Sequence, residues 1–472
     1  MIKTSAIFLF LNYCLGKKVD MSMVVAKIDW RQLYTFASRQ ALLGFCFDGI
    51  ERLTKEFSEE LKQNPMGRDL LMTWMGKAQQ IRRQNMKVNA VAGKLFAMLR
   101  VDGMRCCVLK GQGNALMYPN PYSRTPGDID VWVNASREDI TEYAKTHFEI
   151  GDDIRFHHLE TSFDGVPVEL HFFPGIMNNP IYNARLQKWF KRNADLQCSH
   201  IVGLPDGAGD IAIPTTAFNV IYQLTHLYHH FFDEGIGMRQ IIDYFLVVND
   251  FSKNVFLDYD LSNHPVNFSN HPVPLSKEGS TFSPSPSSSG SGDVTAPSWC
   301  SEPLRSKDGG PSKVSPNCAG WDRRGVSGDT GSVSCSSASG SSITSVSSAS
   351  TTDSSASTAL VVVQRELKYL GLWKFAGAVM YVLKEVLGLA EDKMIVPMDE
   401  KRGRLLLAEI LDGGNFGRHF SKYGGFTHQS MGKKYFLKIW RNMHFVRYYP
   451  AEALCEPLFR TWHFFWRLKY KK

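Results

Sequence analysis

A β-hairpin whose register can be written from the sequence most constrains how this chain folds. Two stretches that mix apolar and polar residues, IRFHHLETSF and VPVELHFF, are separated only by Asp164-Gly165. That pair favours a two-residue type I′ turn, which fixes how the strands pair. The predicted opposite pairs are Phe163 and Val166, Glu160 and Glu169, and His158 and His171. One face of the hairpin is therefore polar, and the other carries Leu159, Val168 and Leu170.

A second strand candidate, DIDVWV, opens with two carboxylates. Residues i and i+2 of a strand share a face, so Asp128 and Asp130 project together while Ile129 and Val131 enter the core. Two like charges this close need a positive partner, and a hard divalent cation with oxygen ligands is suited to that position. If Glu169 lies on a neighbouring strand, it brings a third carboxylate to this face. Three carboxylates can hold two Mg²⁺ ions for phosphoryl or nucleotidyl transfer.

Basic and glycine residues near this pair are predicted to bind phosphates. In VLKGQGNALMYP a short strand ends at Lys110-Gly111 before a helix, and a glycine there lets backbone N–H groups approach a phosphate. Arg124 precedes the carboxylate pair and is placed to contact the same triphosphate. Arg239 and Asp243 share one face of a later helix. Arg239 therefore either lies near the nucleotide or pairs with Asp243.

Histidines surround the predicted carboxylate face. The residues there with zinc-binding atoms are His157, His158, Glu160 and His171. No recognised zinc spacing is present, so we interpret these histidines as hydrogen-bonding neighbours of the carboxylates. His226 and His230 are four residues apart on one helical face. That spacing fits a metal site or, more simply, the lining of a polar groove.

The remaining sequence is mostly helical in pattern, with one low-complexity segment. Apolar residues recur at three- and four-residue spacing on both sides of a stretch dominated by Ser, Gly, Pro and Thr. That stretch has too few large apolar residues to offset its ordering entropy. The predicted division is a tail or misassigned start (1–28), an N-terminal helical region (29–100), a core carrying the carboxylates (101–214), a helical region (215–253), a disordered insertion (254–357) and a C-terminal helical region (358–472).

The N-terminal segment MIKTSAIFLFLNYCLG superficially resembles a signal peptide. Asn12 interrupts its apolar stretch and no small-residue cleavage site follows, so we expect a short packed tail or a start at Met21 or Met23. Elsewhere no run of eighteen apolar residues predicts a transmembrane helix. The nine cysteines are scattered without a CxxC pair, which favours a reducing, cytoplasmic location. The net charge of +8 fits an anionic partner without identifying it.

The C-terminal stretches YFLKIWRNMHFVRYYP and LFRTWHFFWRLKYKK mix aromatic residues with Lys and Arg. This composition is typical of contact with a membrane surface or with nucleic acid. We interpret it instead as packed helices whose aromatic side chains point inward while the cations reach solvent.

The order of these motifs is similar to that of a known family. A helix pair, VLKG, RxxGDIDVWV, a hairpin ending in VELH and a helix with GIGMRQIIDY together resemble the uncharacterised nucleotidyltransferases of the polymerase-beta-like superfamily. GGNFG at residues 413–417 also resembles that family. The resemblance implies a minimal nucleotidyltransferase fold, two divalent ions and transfer of a nucleoside monophosphate from NTP. By residue match, Asp128 and Asp130 would be metal ligands, and Glu169 a third ligand or the base. Gly111-Gln112 stands where the superfamily usually has Gly-Ser.

The sequence thus predicts an α+β enzyme with a small mixed β-sheet flanked by N- and C-terminal helical regions. We expect a nucleotidyltransferase that uses Mg²⁺, or alternatively Mn²⁺. The predicted site residues are the catalytic, metal-binding Asp128, Asp130 and Glu169 and the NTP-binding Lys110, Gly111, Arg124 and Arg239. The acceptor stays open among a sugar, a small alcohol, a protein and RNA, as does the oligomeric state. Two alternatives remain, a non-catalytic nucleotide-binding scaffold and a metal-dependent phosphohydrolase.

Overall fold

The computed structural model of the protein describes residues 4–258, 349–420 and 430–470. Most of the predicted insertion therefore lies outside the described residues. Six helices precede the first strand, namely α1 (Thr4–Cys14), α2 (Ser22–Val25), α3 (Trp30–Arg39), α4 (Leu43–Glu56), α5 (Ser58–Gln63) and α6 (Arg68–Val101). The central part contains β1 (Cys106–Leu109), α7 (Gly111–Ala115), β2 (Ile129–Val133), α8 (Arg137–His147), β3 (Glu149–Ile154), β4 (His158–Phe163), β5 (Val166–His171), α9 (Pro180–Ser199), β6 (Ile201–Gly203) and β7 (Asp210–Ala212).

The remaining described elements are helical. They are α10 (Thr216–Asp233), α11 (Met238–Asp258), α12 (Ala349–Tyr369), α13 (Trp373–Leu387), α14 (Glu400–Gly413), α15 (Met431–Met443), α16 (Pro450–Ala453) and α17 (Glu456–Tyr470). The mixture of helices with a small mixed sheet confirms the predicted α+β class. Helix α11 ends at Asp258 and α12 begins at Ala349, so both helices extend into the segment 254–357 that was assigned to the insertion.

The main sheet has five strands in the order β1-β2-β5-β4-β3. Only the β2–β5 pair is parallel, and the other three pairs are antiparallel. The hairpin register predicted from Asp164-Gly165 is confirmed, including Glu160 opposite Glu169. Both turn residues have positive φ, 48° and 68°, as a type I′ turn requires. Strand β3 was not predicted, because its sequence EIGDDI lacks the apolar alternation of a strand.

The two faces of the sheet are buried in different ways. On one face, Ile129, Val131 and Val168 pack with apolar residues of α6 in one core cluster. On the other face, Trp132 stacks against Phe218 of α10, with ring centroids 6.0 Å apart, and belongs to the large helical core. Next to Trp132 this second face turns polar. The polar residues of this face, Asp130, Glu169 and His171, line a cleft.

The N-terminal helix α1 belongs to the packed core. Phe10 and Leu11 are buried, and Asn12 Nδ2 donates to the carbonyl of Val386 over 2.8 Å. The six described cysteines are free thiols. Within the described ranges, no helix combines the length and apolarity that crossing a bilayer requires.

The C-terminal helices depart from their predicted packing. Phe436, Phe464 and Phe465 are 71%, 51% and 63% exposed, so the prediction of inward-pointing aromatic side chains was wrong for these three residues. The helical period was read correctly, but this sequence carries apolar residues on more than one face of each helix. Composition alone does not say which face meets the core.

Candidate active site

The parallel pairing of β2 with β5 brings the predicted carboxylates together. Asp130 lies directly beside Glu169 in the register, and Asp128 immediately precedes β2. The ligand atoms of Asp130, Glu169 and His171 lie within 4.8 Å of one another, close enough to hold one metal ion. Asp128 lines the same cleft. The charge of Asp130, together with burial, raises the pKa of Asp128 to about 7. A cation at this face would relieve that repulsion.

His171 bridges two of these carboxylates. Its Nε2 lies 3.0 Å from Asp130 Oδ1 and 3.2 Å from Glu169 Oε2. Burial acts to lower the pKa of His171, but the hydrogen bonds to both carboxylates outweigh it and raise the pKa to about 9. The imidazole is therefore protonated at neutral pH and neutralises part of the acidic face.

Lys110 is the second cation on this face. Its Nζ lies 2.9 Å from Asp130 Oδ1 and 3.3 Å from Nε2 of His226, to which it donates. Its φ of 50° is unusual for a residue with a side chain, and such strain is concentrated at functional sites. Burial would raise the pKa of Asp130, but Lys110 and His171 hold it well below its usual range.

Neutral histidines line the neighbouring part of the cleft. Burial, reinforced by the positive charge of His171, lowers the pKa of His158 to about 3. The ligand atoms of His157, His158 and His171 lie within 4.8 Å of one another, which the sequence spacing did not reveal. Because Nε2 of His171 faces Asp130 and Glu169, this trio is not an independent metal site. His226 and His230 also line the cleft, with rings 4.3 Å apart, as their helical spacing indicated.

The cleft has a volume of about 960 Å³, which is large enough for a nucleotide together with part of a second substrate. Its lining includes every predicted site residue, namely Lys110, Gly111, Arg124, Asp128, Asp130, Glu169 and Arg239. The fold thus places basic and acidic side chains from distant parts of the sequence around one space.

Arg124 forms a buried ion pair with Asp243. Its Nε and Nη2 donate to the two carboxylate oxygens of Asp243 over 2.9 and 2.8 Å. The hydroxyl of Tyr118 donates to the same carboxylate over 2.6 Å. Asp243 therefore pairs with Arg124, and the alternative in which it simply pairs with Arg239 was wrong.

Arg239 is a buried cation of a different kind. It is 8% exposed, and its Nη1 donates to the carbonyl of Thr125 over 3.1 Å. Within the described part of the chain it forms no ion pair, and its Nε has no hydrogen-bond partner. Burial, and then the nearby charge of Arg124, lowers the pKa of Arg239. A buried guanidinium facing a cleft favours an anionic ligand there.

The family follows from a comparison with known proteins. A family model described as uncharacterised nucleotidyltransferase matches residues 26–263. The chain belongs to this nucleotidyltransferase family. The match spans every strand of the described residues, the acidic face and Arg239. No curated protein and no solved structure matches the chain.

In this member of the family, the turn after β1 brings backbone to the cleft. Gly111 has φ of +33°, and a Cβ placed there would meet only the carbonyl oxygen of Asp128, at 3.8 Å. The space beside the turn is therefore open. Gln112, which replaces the usual serine of the superfamily, is buried and donates to Asn89 of α6. Gln112 thus anchors the turn to the scaffold.

A late segment, at residues 413–417, completes the cleft. Asn415 and Phe416 line it, although sequence reasoning had assigned them no role. Gly417 has φ of +61°, and a Cβ there would stand 1.9 Å from the carbonyl oxygen of Glu234. Only glycine permits this approach. The ring of Phe416 lies 5.7 Å from the guanidinium of Arg239, so the segment also covers the buried cation. The run of glycines in GGNFG was the available signal.

Proposed function

We propose that the protein is a metal-dependent nucleotidyltransferase that moves a nucleoside monophosphate from NTP to an acceptor hydroxyl. The observation that carries the proposal is the placement of Asp130 beside Glu169, with Asp128 preceding them on the same cleft. Membership of the nucleotidyltransferase family supports the reaction class.

Asp128, Asp130 and Glu169 would hold Mg²⁺, or alternatively Mn²⁺. Their oxygen donors match the preference of these ions, and the repulsion that raises the pKa of Asp128 is what a bound cation would offset. A divalent ion at this position supplies charge neutralisation for the phosphates and activation of the acceptor oxygen. The hydrogen bond from His171 lowers the pKa of Glu169 and keeps it ionised. We therefore assign Glu169 the role of metal ligand in preference to that of base.

The phosphates would lie against the basic side of the cleft. Arg239 is the leading candidate because its guanidinium is buried and lacks an ion pair among the described residues. Lys110 and the backbone at Gly111 would contact phosphate oxygens from the turn after β1. Arg124 would act mainly as a positioning residue. Its ion pair with Asp243 holds the segment that leads into β2, and this segment carries Asp128. Catalysis then consists of orientation and charge stabilisation, with no covalent intermediate on the protein.

The test is an incubation of the full-length protein with Mg²⁺ and each NTP labelled at the α-phosphate. Candidate acceptors are supplied as separate pools of sugars, small alcohols, protein and RNA. Release of pyrophosphate with label transferred to an acceptor supports the proposal. Inorganic phosphate alone would instead establish a phosphohydrolase. Nucleotide binding without either product would establish a non-catalytic scaffold.

A further inference from the structure

The positive charge of the protein is concentrated at its C-terminal end. Residues 430–472 contain ten Lys and Arg and two Glu, a net charge of +8. The whole chain also has a net charge of +8, so the 44 other Lys and Arg are balanced by 44 Asp and Glu. The formal excess therefore lies in α15, α16, α17 and their flanking residues. Part of it is balanced within the fold, because Lys438 and Arg460 pair with Asp233 and the buried Arg441 pairs with Glu409.

Helix α15 presents an apolar face to solvent. Phe436, Trp440 and Met443 are 71%, 51% and 50% exposed, and their spacing of four and three residues places them on one face. The opposite face is anchored. Lys438 lies 3.1 Å from Asp233, and Asn442 Nδ2 donates to the carbonyl of Phe232 over 2.9 Å. The exposed face is thus held in place by the rest of the fold.

Helix α17 repeats this arrangement. Leu458, Phe465 and Leu468 are 72%, 63% and 59% exposed and recur at helical spacing. Its other side packs against the site-bearing part of the chain, with the rings of Trp466 and Phe156 5.8 Å apart. The two helices touch, and the hydroxyl oxygens of Tyr435 and Thr461 are 2.6 Å apart. We name the six exposed apolar residues of α15 and α17 the C-terminal surface.

We propose that the C-terminal surface binds the face of a lipid bilayer that carries anionic headgroups. Exposed Phe, Trp, Leu and Met next to exposed cations such as Lys433, Arg447 and Lys469 is the combination by which a helix lies in the membrane interface. The positive charge attracts anionic headgroups, and the apolar side chains enter the boundary between headgroups and acyl chains. Binding of this kind keeps the helices at the bilayer surface and needs no helix that crosses the membrane.

Two other occupants fit the surface less well. A nucleic acid would use aromatic residues for base stacking, but Leu458, Leu468 and Met443 have no flat ring to offer a base. A second copy of the chain would bring two surfaces together that each carry exposed cations such as Lys433 and Lys469, which is electrostatically unfavourable. Neither objection applies to an anionic bilayer.

The test is co-sedimentation of the full-length protein with vesicles, without nucleotide, so its outcome is independent of the proposed transfer reaction. Vesicles of phosphatidylcholine with phosphatidylglycerol should bind the protein about tenfold or more tightly than pure phosphatidylcholine at roughly 0.1 M salt. The double variant Phe436→Ser/Phe465→Ser should weaken binding by about tenfold or more. Met72→Ser/Val101→Ser is the matched control, because these residues are 54% and 86% exposed on α6, and it should bind as the wild type does.

Circular dichroism melts establish that each variant is folded. If the serine variant does not fold, the charge reversal Lys433→Glu/Lys469→Glu takes its place and should also release the protein from anionic vesicles. The proposal is overturned if the wild type does not sediment with anionic vesicles or if both kinds of variant bind them normally. It is equally overturned if light scattering shows a dimer that the serine variant dissociates, or if single-stranded RNA binds this surface and the vesicles do not.

Discussion

Lys110 and Asp130 form an ion pair between the end of β1 and the start of β2, with 2.9 Å between Nζ and Oδ1. The same oxygen lies 3.0 Å from His171 Nε2, so two cations share one carboxylate oxygen. This arrangement keeps Asp130 charged although it is buried. It also means that Asp130 links the turn after β1 to the acidic face.

The substitution Asp130→Asn should remove nucleotidyl transfer while leaving the hairpin intact. Loss of the central carboxylate leaves Lys110 and His171 without their shared partner and removes a proposed metal ligand, so we expect a fall in turnover of about 10³-fold or more. Turnover is measured by pyrophosphate release. The matched control is Asp164→Asn at the hairpin tip, where asparagine also suits a type I′ turn. Comparable turnover in the two variants would remove Asp130 from the mechanism.

Replacing Arg124 with methionine should destabilise the fold. Asp243 would lose the partner of both its oxygens and remain as an unpaired buried charge, at a cost of about 3–5 kcal/mol. Urea denaturation measures the free energy of unfolding. The control Arg404→Met breaks the exposed pair with Glu400 and should change the free energy of unfolding far less, because solvent screens that pair. Equal losses in the two variants would show that burial does not strengthen the Arg124–Asp243 pair.

Replacing Arg239 with methionine should have opposite effects on stability and on binding. Removing a buried cation that lacks an ion pair in the described chain should stabilise the free protein by about 1 kcal/mol. The same variant should lose most of the stabilisation by Mg²⁺ and NTP, which is about 2.7 kcal/mol for the wild type at 100 times Kd. Thermal unfolding with and without ligand measures both. The exposed Arg83→Met serves as control. Unchanged ligand stabilisation in Arg239→Met would exclude its contact with phosphate.

Glu452 does not line the cleft, but it should make the free energy of unfolding depend on pH. Burial raises the pKa of Glu452 from 4.5 to about 7, although the backbone N–H groups of Asn178 and Asn179 donate to it. Because the folded-state pKa is the higher one, this stabilising contribution is complete below about pH 4.5 and is lost as pH rises to about 7. The free energy of unfolding of wild type, relative to Glu452→Gln, should therefore fall by up to about 3 kcal/mol over that range.

Urea denaturation of both proteins across this pH range provides the measurement. The exposed Glu59→Gln is the control for removal of one carboxylate. A difference between wild type and Glu452→Gln that stays constant with pH would show that Glu452 is ionised in the fold throughout.

Local patterns were sufficient to predict the hairpin and the orientation of its carboxylates. A two-residue turn at Asp164-Gly165 determines which residues face each other, because strand side chains alternate with a period of two. The same period predicted that Asp128 and Asp130 share a face while Ile129 enters the core. These are short-range properties, so they can be read from a few consecutive residues.

Long-range pairing was decided by the tertiary structure. The sequence does not state that β2 lies parallel to β5, which is what puts Asp130 beside Glu169. Nor does it state that Asp243 chooses Arg124, 119 residues away, over Arg239 on its own helix. Partner choice among buried charges depends on which groups are desolvated together, and packing of the whole chain sets that. The sequence fixes the local alternation that gives each strand its faces, whereas only the folded chain determines what each face meets.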